Sequence, residues 1–224
     1  MRVVHAQGHN EERDALSRDW FEFLNQFDIT PVLIPNLAEN VLSFLNQTTI
    51  QGIILTGGNN ISPQTCRYTA DDEIDDLALI RDNTEKIMID YAIDKNLPII
   101  GVCRGMQMIN AYFGGSIVPN ITDRLTNGIN HVAANHDICL TQQDFVDMAG
   151  TPSVAVNSYH RHGFSEKELG KGLVPFAYSI DGAVEGVIHD TFPILGIMWH
   201  PERENPNKIL DIALIKKYLI KSII

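Results

Sequence analysis

Cys103 lies between a short apolar run and a glycine in the stretch 99–110, IIGVCRGMQMIN. Gly101 and Gly105 stand two residues to either side of it, so the backbone can bend sharply beneath an exposed thiol. A helix beginning at Arg104 would aim its free N–H groups and positive dipole end at the sulfur, which favours the thiolate. Gln107 follows one helical turn later and can face the same pocket. A nucleophile of this kind needs a base, and GIMWHPERENP supplies His200 with Glu202 two residues on. His200 can take the thiol proton and return it to a leaving group, while Glu202 orients the imidazole and stabilises its cation. The glycine pair of ILTGGNN provides a third part. There the Gly58 N–H, together with the Arg104 N–H, is assigned to a developing oxyanion. Each part alone has a plainer explanation: an inert cysteine at a helix–strand contact, a solvated His-Pro-Glu turn, a glycine turn. Together they describe nucleophilic catalysis at a carbonyl.

Elements must hold these residues at one place. RVVHA reads as a first strand, and EERDALSRDWFEFLNQF as a helix with Leu16, Trp20, Phe23, Leu24 and Phe27 at helical spacing. ITPVLIP reads as a strand, LAENVLSFLNQ as a helix and GIILTGG as a buried strand. A long helix, LALIRDNTEKIMIDYAIDKN, leads into the strand LPIIGVC. This alternation predicts an α/β fold, a doubly wound and mostly parallel sheet flanked by helices, with ligands at the strands' C-terminal ends. From about residue 115 shorter strands take over: HDICLT, SVAVNS, LVPFAYSIDGAVEGVIHD and PILGIMWH, with antiparallel pairing at the SIDG bend. NPNKILDIALIKKYLIKSI closes the chain as a helix. No linker or repeat divides it, so residues 1–224 are expected to form one domain.

The bulk numbers narrow the partners. The chain has 224 residues, 44% of them hydrophobic, enough for one good-sized core. Lys and Arg number 17 against 28 Asp and Glu, a net charge of −11, which argues against nucleic acid or anionic membrane as a partner. A small-molecule substrate is expected, and the oligomeric state is open. Three cysteines without zinc spacing suit a reduced, cytoplasmic setting, and no secretory leader or membrane span is apparent.

The segments TGGNNISP, RDNTEKIMIDYA, LPIIGVCRGMQMINAYFGG, VNSYH and GIMWHPE, in this order, resemble the class I glutamine amidotransferase-like superfamily, and within it the C26-type γ-glutamyl hydrolases. The resemblance implies a Cys103–His200–Glu202 triad that forms a thioester with the γ-carbonyl of a glutamyl group. It also implies that Gln107 and the backbone around Ser158 and Tyr159 hold that group's α-amino and α-carboxylate ends. CRG, where amidotransferase subunits usually have CLG, is the hydrolase-like form. NSYHRHGF departs from the His-Gln continuation common in the hydrolases, which points Arg161 at an unusual leaving group. The front of the chain, NEERDALSRDWFEFL with PVLIPN, is similar to γ-glutamyl-CDP-amidate hydrolases of capsular phosphoramidate synthesis. Two other functions stay open: a glutaminase subunit that passes ammonia to a separate synthetase, and a non-catalytic binding module.

The remaining candidates read more simply. His131 and His136 in HVAANHD fit neither one helical face nor a zinc motif, so they are read as ordinary polar positions; no metal and no cofactor are expected. His160 and His162 are balanced between a surface turn and leaving-group contact. Cys66 and Cys139 read as inert. Arg13 reads as a helix-start ion pair, with a phosphate contact as the lesser alternative, and DDEIDD (71–76) as a solvated loop.

Overall fold

The computed structural model describes residues 1–8, 10–125 and 128–220. Its first strand, Arg2–His5 (β1), pairs antiparallel with Glu12–Ala15 (β2) and stays outside the main sheet. The expected helix over residues 11–27 is thus corrected at its front. EERD carries no apolar residue to bury, so this segment closes a hairpin, helped by Gly8 at φ +82°. The helix is confined to Asp19–Asn25 (α1), where Trp20, Phe23 and Leu24 are buried. ITPVLIP is not a strand. Pro31 and Pro35 lack the N–H that a ladder requires, and residues 29–35 run without regular pairing.

Beyond it the chain follows the expected alternation. Ala38–Gln47 (α2), Ile53–Leu55 (β3), Leu79–Asp94 (α3), Ile99–Val102 (β4) and Arg104–Tyr112 (α4) follow in order. A short turn of helix at Ile121–Arg124 (α5) precedes Val132–Leu140 (β5), Gln143–Ala149 (α6) and Ser153–Tyr159 (β6). Leu173–Ser179 (β7), Val184–His189 (β8), Ile194–Ile197 (β9) and Lys208–Ile215 (α7) complete the set. The last residues of the expected closing helix, 221–223, lie outside the described residues.

Seven strands form one curled mixed sheet in the order β3-β4-β9-β8-β7-β5-β6. Strands β3, β4 and β9 are parallel, and the pairs from β9 through β8, β7 and β5 to β6 are antiparallel. Because alternate side chains of a strand face opposite sides, Ile100 and Val102 join one apolar cluster while Ile99 joins the other. The first cluster gathers α1, α6 and α7 through Trp20, Phe145 and Leu214; the second gathers α2, α3 and α4 through Leu45, Ile89 and Met106. Helices therefore cover both faces of the sheet, and the C-terminal ends of β4 and β9 emerge side by side with Val102 opposite Ile197. No helix among the described residues is long and apolar enough to cross a membrane.

Candidate active site

Cys103 follows the last residue of β4 and sits at the N-cap of α4 with φ 53° and ψ −109°. A non-glycine residue at positive φ costs on the order of 1–3 kcal/mol, and such strain gathers where a side chain must be presented for chemistry. Tight packing holds the bend. A Cβ on Gly105 would come within 2.0 Å of the Leu55 carbonyl oxygen, and one on Gly101 within 2.7 Å of the Gly105 backbone. The glycines thus let α4 press directly on β3 and β4. The Cys103 side chain makes no capping bond to its helix, and its own N–H donates to the Ile197 carbonyl at 2.8 Å, tying the elbow to β9.

His200 follows β9 and reaches the same point. Its Nδ1 lies 2.7 Å from Glu202 Oε1, and both side chains are almost fully buried. A Cβ on Gly57 would fall 2.7 Å from His200 Cε1 and 3.6 Å from Cys103 Cβ, so the ring occupies the gap between the glycine loop and the thiol. Burial alone would raise the Cys103 thiol, but the charge and hydrogen bond of His200, with the Arg104 N–H, hold it below the ordinary cysteine value. For His200, burial opposes protonation; the thiolate and Glu202 overcome that and hold its pKa at about 9. Near neutral pH this geometry therefore favours a thiolate–imidazolium pair, ready to attack a carbonyl and then protonate the departing nitrogen.

Gln107 is buried, and its amide donates to the His162 carbonyl at 2.8 Å. Ser158 Oγ donates to the His131 carbonyl, so the side chain is spent on the fold. The Tyr159 ring meets His200 edge-on at 5.7 Å, half exposed. Gly58 has φ +125°, and the space that its Cβ would take is filled by Arg81 Nη1 at 2.7 Å. Arg161 is exposed beside this segment. His160 and His162 are 3% and 5% exposed, which overturns the surface-turn reading for both. Arg13 is corrected from a helix start to β2, where an exposed pair with Glu11 occupies its guanidinium. Cys66 is buried, its thiol pushed up to about 11 by desolvation, in keeping with an inert role. In the acidic loop, Asp72 pairs with Arg124 and Asp76 with Arg2. A cavity of about 380 Å³ lies elsewhere, beneath the N-terminal segments among Met1, Trp20, Ile34 and Leu55, and is not lined by Cys103 or His200.

The sequence profile of the Peptidase C26 family matches residues 1–202. The chain belongs to the Peptidase C26 family. A glutamine amidotransferase-like protein of Schizosaccharomyces pombe is 36% identical over 180 residues, 76% of this chain and 68% of that one. The gamma-glutamyl-CDP-amidate hydrolase of Campylobacter jejuni subsp. jejuni serotype O:2 is 30% identical over 220 residues, 97% of this chain and 94% of that one. The glutaminase domain of Trypanosoma brucei CTPS, solved with bound acivicin, superposes with a TM-score of 0.62 at 15% identity, covering 88% of this chain and 84% of that one. The last likeness concerns fold, and it places this C26 chain in the class I glutamine amidotransferase architecture.

Four supporting roles in this C26 enzyme were not among those expected from the sequence. Asn157 holds residue 200 from both sides: its Oδ1 accepts from the His200 N–H and its Nδ2 donates to the His200 carbonyl, each at 2.8 Å. Arg203 stacks on Tyr159, 4.4 Å from the ring centre, and adds a second cation at the rim. A buried ionic network ties the glycine loop to α4. Arg104 pairs with Asp82 and Glu85 of α3, Arg81 pairs with Glu85, and Arg81 donates to the carbonyls of Thr56 and Gly57. The Arg104 side chain thus turns away from the thiol while its N–H faces it. RDNTE on a helix and CRG at the elbow carried the signal, as an i, i+4 pair and an arginine on a buried turn. Lastly, His131 and His136 are not separate polar positions: β5, β6 and β8 bring them together with His160 and Glu185.

Proposed function

We propose that the chain hydrolyses a γ-glutamyl amide through a γ-glutamyl thioester on Cys103. The observation that carries this reading is the buried line from Cys103 through His200 to Glu202, with the hydrogen bond of 2.7 Å at its far end. The Cys103 thiolate adds to the γ-carbonyl, and the oxyanion takes up the N–H groups of Arg104 and Gly58. The C–N bond then breaks as His200 gives its proton to the leaving nitrogen. Water replaces the leaving group. His200 takes a proton from it, the thioester C–S bond breaks, and glutamate departs with the thiolate restored. Gln107 and the backbone at Ser158 and Tyr159 hold the glutamyl end.

The substrate we favour is γ-glutamyl-CDP-amidate, giving glutamate and cytidine diphosphoramidate. Similarity to a hydrolase of that name over 97% of this chain supports it, and so do two cations of an acidic protein: Arg161, exposed beside the NSYH segment, and half-buried Arg203, over Tyr159 and 3.8 Å from Glu202. Glutamate release from that substrate and from free glutamine, each as kcat/KM, is the direct test. Greater turnover of glutamine would favour a glutaminase subunit with a separate synthetase instead.

The leaving-group side has its own prediction. A charge-assisted contact to a phosphate is worth roughly 1.5–3 kcal/mol. Arg161→Ala is therefore expected to lower kcat/KM for the γ-glutamyl nucleotide by about one to two decades, and to leave a small neutral γ-glutamyl amide nearly unaffected. Equal losses on both, measured at fixed salt, would mean that Arg161 serves the glutamyl pocket or the fold.

The pH profile follows from the ion pair. The active form carries a thiolate and an imidazolium. The rate constant kcat/KM should rise with pH through the Cys103 ionisation, which lies below the ordinary cysteine range. It should then fall as His200 loses its proton at about 9. An acid limb set by a neutral imidazole, with a flat profile above pH 9, would show that His200 acts from its uncharged form.

A further inference from the structure

Outside the triad the fold gathers His131, His136, His160 and Glu185, with one ligand atom of each within 4.8 Å of all the others. His131, His160 and Glu185 are at least 97% buried, and the His136 side chain is only 6% exposed. The inward atoms are His131 Nδ1, His136 Nε2, His160 Nε2 and both Glu185 oxygens, and none has a hydrogen-bond partner. Buried polar atoms are normally satisfied, so five orphans pointing at one spot call for an occupant.

The outward nitrogens show which kind. His131 Nε2 is 3.0 Å from Asp181 Oδ2, itself held by Ser179 Oγ and the Ile129 N–H. His160 Nδ1 is 3.1 Å from the His162 carbonyl, and His136 Nδ1 3.3 Å from the Asp137 carbonyl. Each partner only accepts, so each imidazole keeps a proton on the outer nitrogen and, when neutral, turns a lone pair inward; without an ion, Glu185 draws a second proton onto His160. Three lone pairs then converge on a carboxylate, which also only accepts. What completes such a set is a cation. Carboxylate and carbonyl acceptors behind the imidazoles are the outer shell that metal-binding histidines normally have.

The spacing agrees. Glu185 Oε1 lies 3.5, 3.7 and 3.4 Å from the inward nitrogens of His131, His136 and His160. Tetrahedral bonds of about 2.0–2.1 Å would put neighbouring ligand atoms about 3.3–3.4 Å apart. We propose that these four residues form a binding site for a divalent transition cation of the zinc type, separate from the Cys103–His200–Glu202 triad. Three nitrogens and one oxygen make a closed, structural set. The ion would fasten β5, β6 and β8 at the point where His160 ends the NSYH segment, and so hold one wall of the glutamyl pocket.

The test reads metal, not activity. The full chain, purified with Zn2+ present and then desalted, is expected to carry about one ion per chain by mass spectrometry. The ion should persist in Cys103→Ser and be lost in His136→Gln and Glu185→Gln. Chelator-treated protein should regain its melting temperature on Zn2+ addition, and show the visible bands of tetrahedral Co2+ with that metal. Asp181→Asn, which touches no ion, should weaken Zn2+ affinity by roughly 10–100-fold through the His131 tautomer. His136 is the least buried of the set, so His136→Gln keeps the test open if Glu185→Gln does not fold. Chelator-treated protein that answers neither Zn2+ nor Co2+ would overturn the site, leaving a proton on one imidazole to offset Glu185. A zinc count that falls with Cys103→Ser but not with His136→Gln would overturn it equally, by placing the ion on the thiolate.

Discussion

Cys103→Ala is expected to remove five to six orders of magnitude from kcat while leaving the melting temperature close to that of the parent. The expectation rests on the behaviour of triads as units, in which losing the nucleophile or the base alone costs about 10⁶. No second thiol stands ready: Cys66 is buried with its pKa pushed up to about 11, and Cys139 lies exposed on β5. His200→Asn should match the loss, since it removes both the partner that holds the thiolate and the proton donor. Glu202→Gln should cost less, roughly four decades, because the base remains while its orientation and cationic form lose their carboxylate. Glutamate release under single-turnover conditions separates these cases, and a thiol-reactive glutamine analogue should label Cys103. A folded Cys103→Ala protein with substantial turnover, or a Glu202→Gln enzyme slower than His200→Asn, would refute the assignment of roles.

Arg104→Met should destabilise the protein by about 3–5 kcal/mol, because it leaves two buried carboxylates, Asp82 and Glu85, with Arg81 as the one remaining guanidinium. For a chain of 224 residues that corresponds to a fall of roughly 6–20 °C in Tm. Glu85 makes the sign clear: burial would raise its carboxyl, yet Arg104 and Arg81 hold it down at about 2. Adding Glu85→Gln to Arg104→Met should recover part of the loss, since a neutral amide needs no counter-charge. A Tm unchanged in the single variant would show that the network contributes little to folding. The same network carries the carbonyls of Thr56 and Gly57, so the residual enzyme should also turn over more slowly at saturating substrate.

Much of this molecule is written in short-range pattern. The apolar run Ile99–Val102 with a glycine joint behind it, the helical spacing from Arg104, and His200 with Glu202 two residues on depend on neighbours along the chain. Steric and periodic rules act at that range, so α2, β3, α3, β4, α4, β9 and the triad candidates could be read directly. Local rules misled where composition outweighed pattern. ITPVLIP has strand-like residues but two prolines, and EERDA sits beside a true helix yet has nothing to bury.

What only tertiary structure decided are the meetings across the sheet. Spacing along the chain separates His131, His136, His160 and Glu185. Antiparallel pairing of β5 with β6, and of β7 with β5 and β8, folds that separation to a few ångströms. Register is set by which face each strand buries, and that depends on the whole core, not on any one segment. The same holds for Arg104. Its N–H at the thiol followed from the elbow motif, but its guanidinium found Asp82 and Glu85 because α3 packs against α4. A charge buried from water must take whatever opposite charge the packing offers, and no sequence interval specifies that partner.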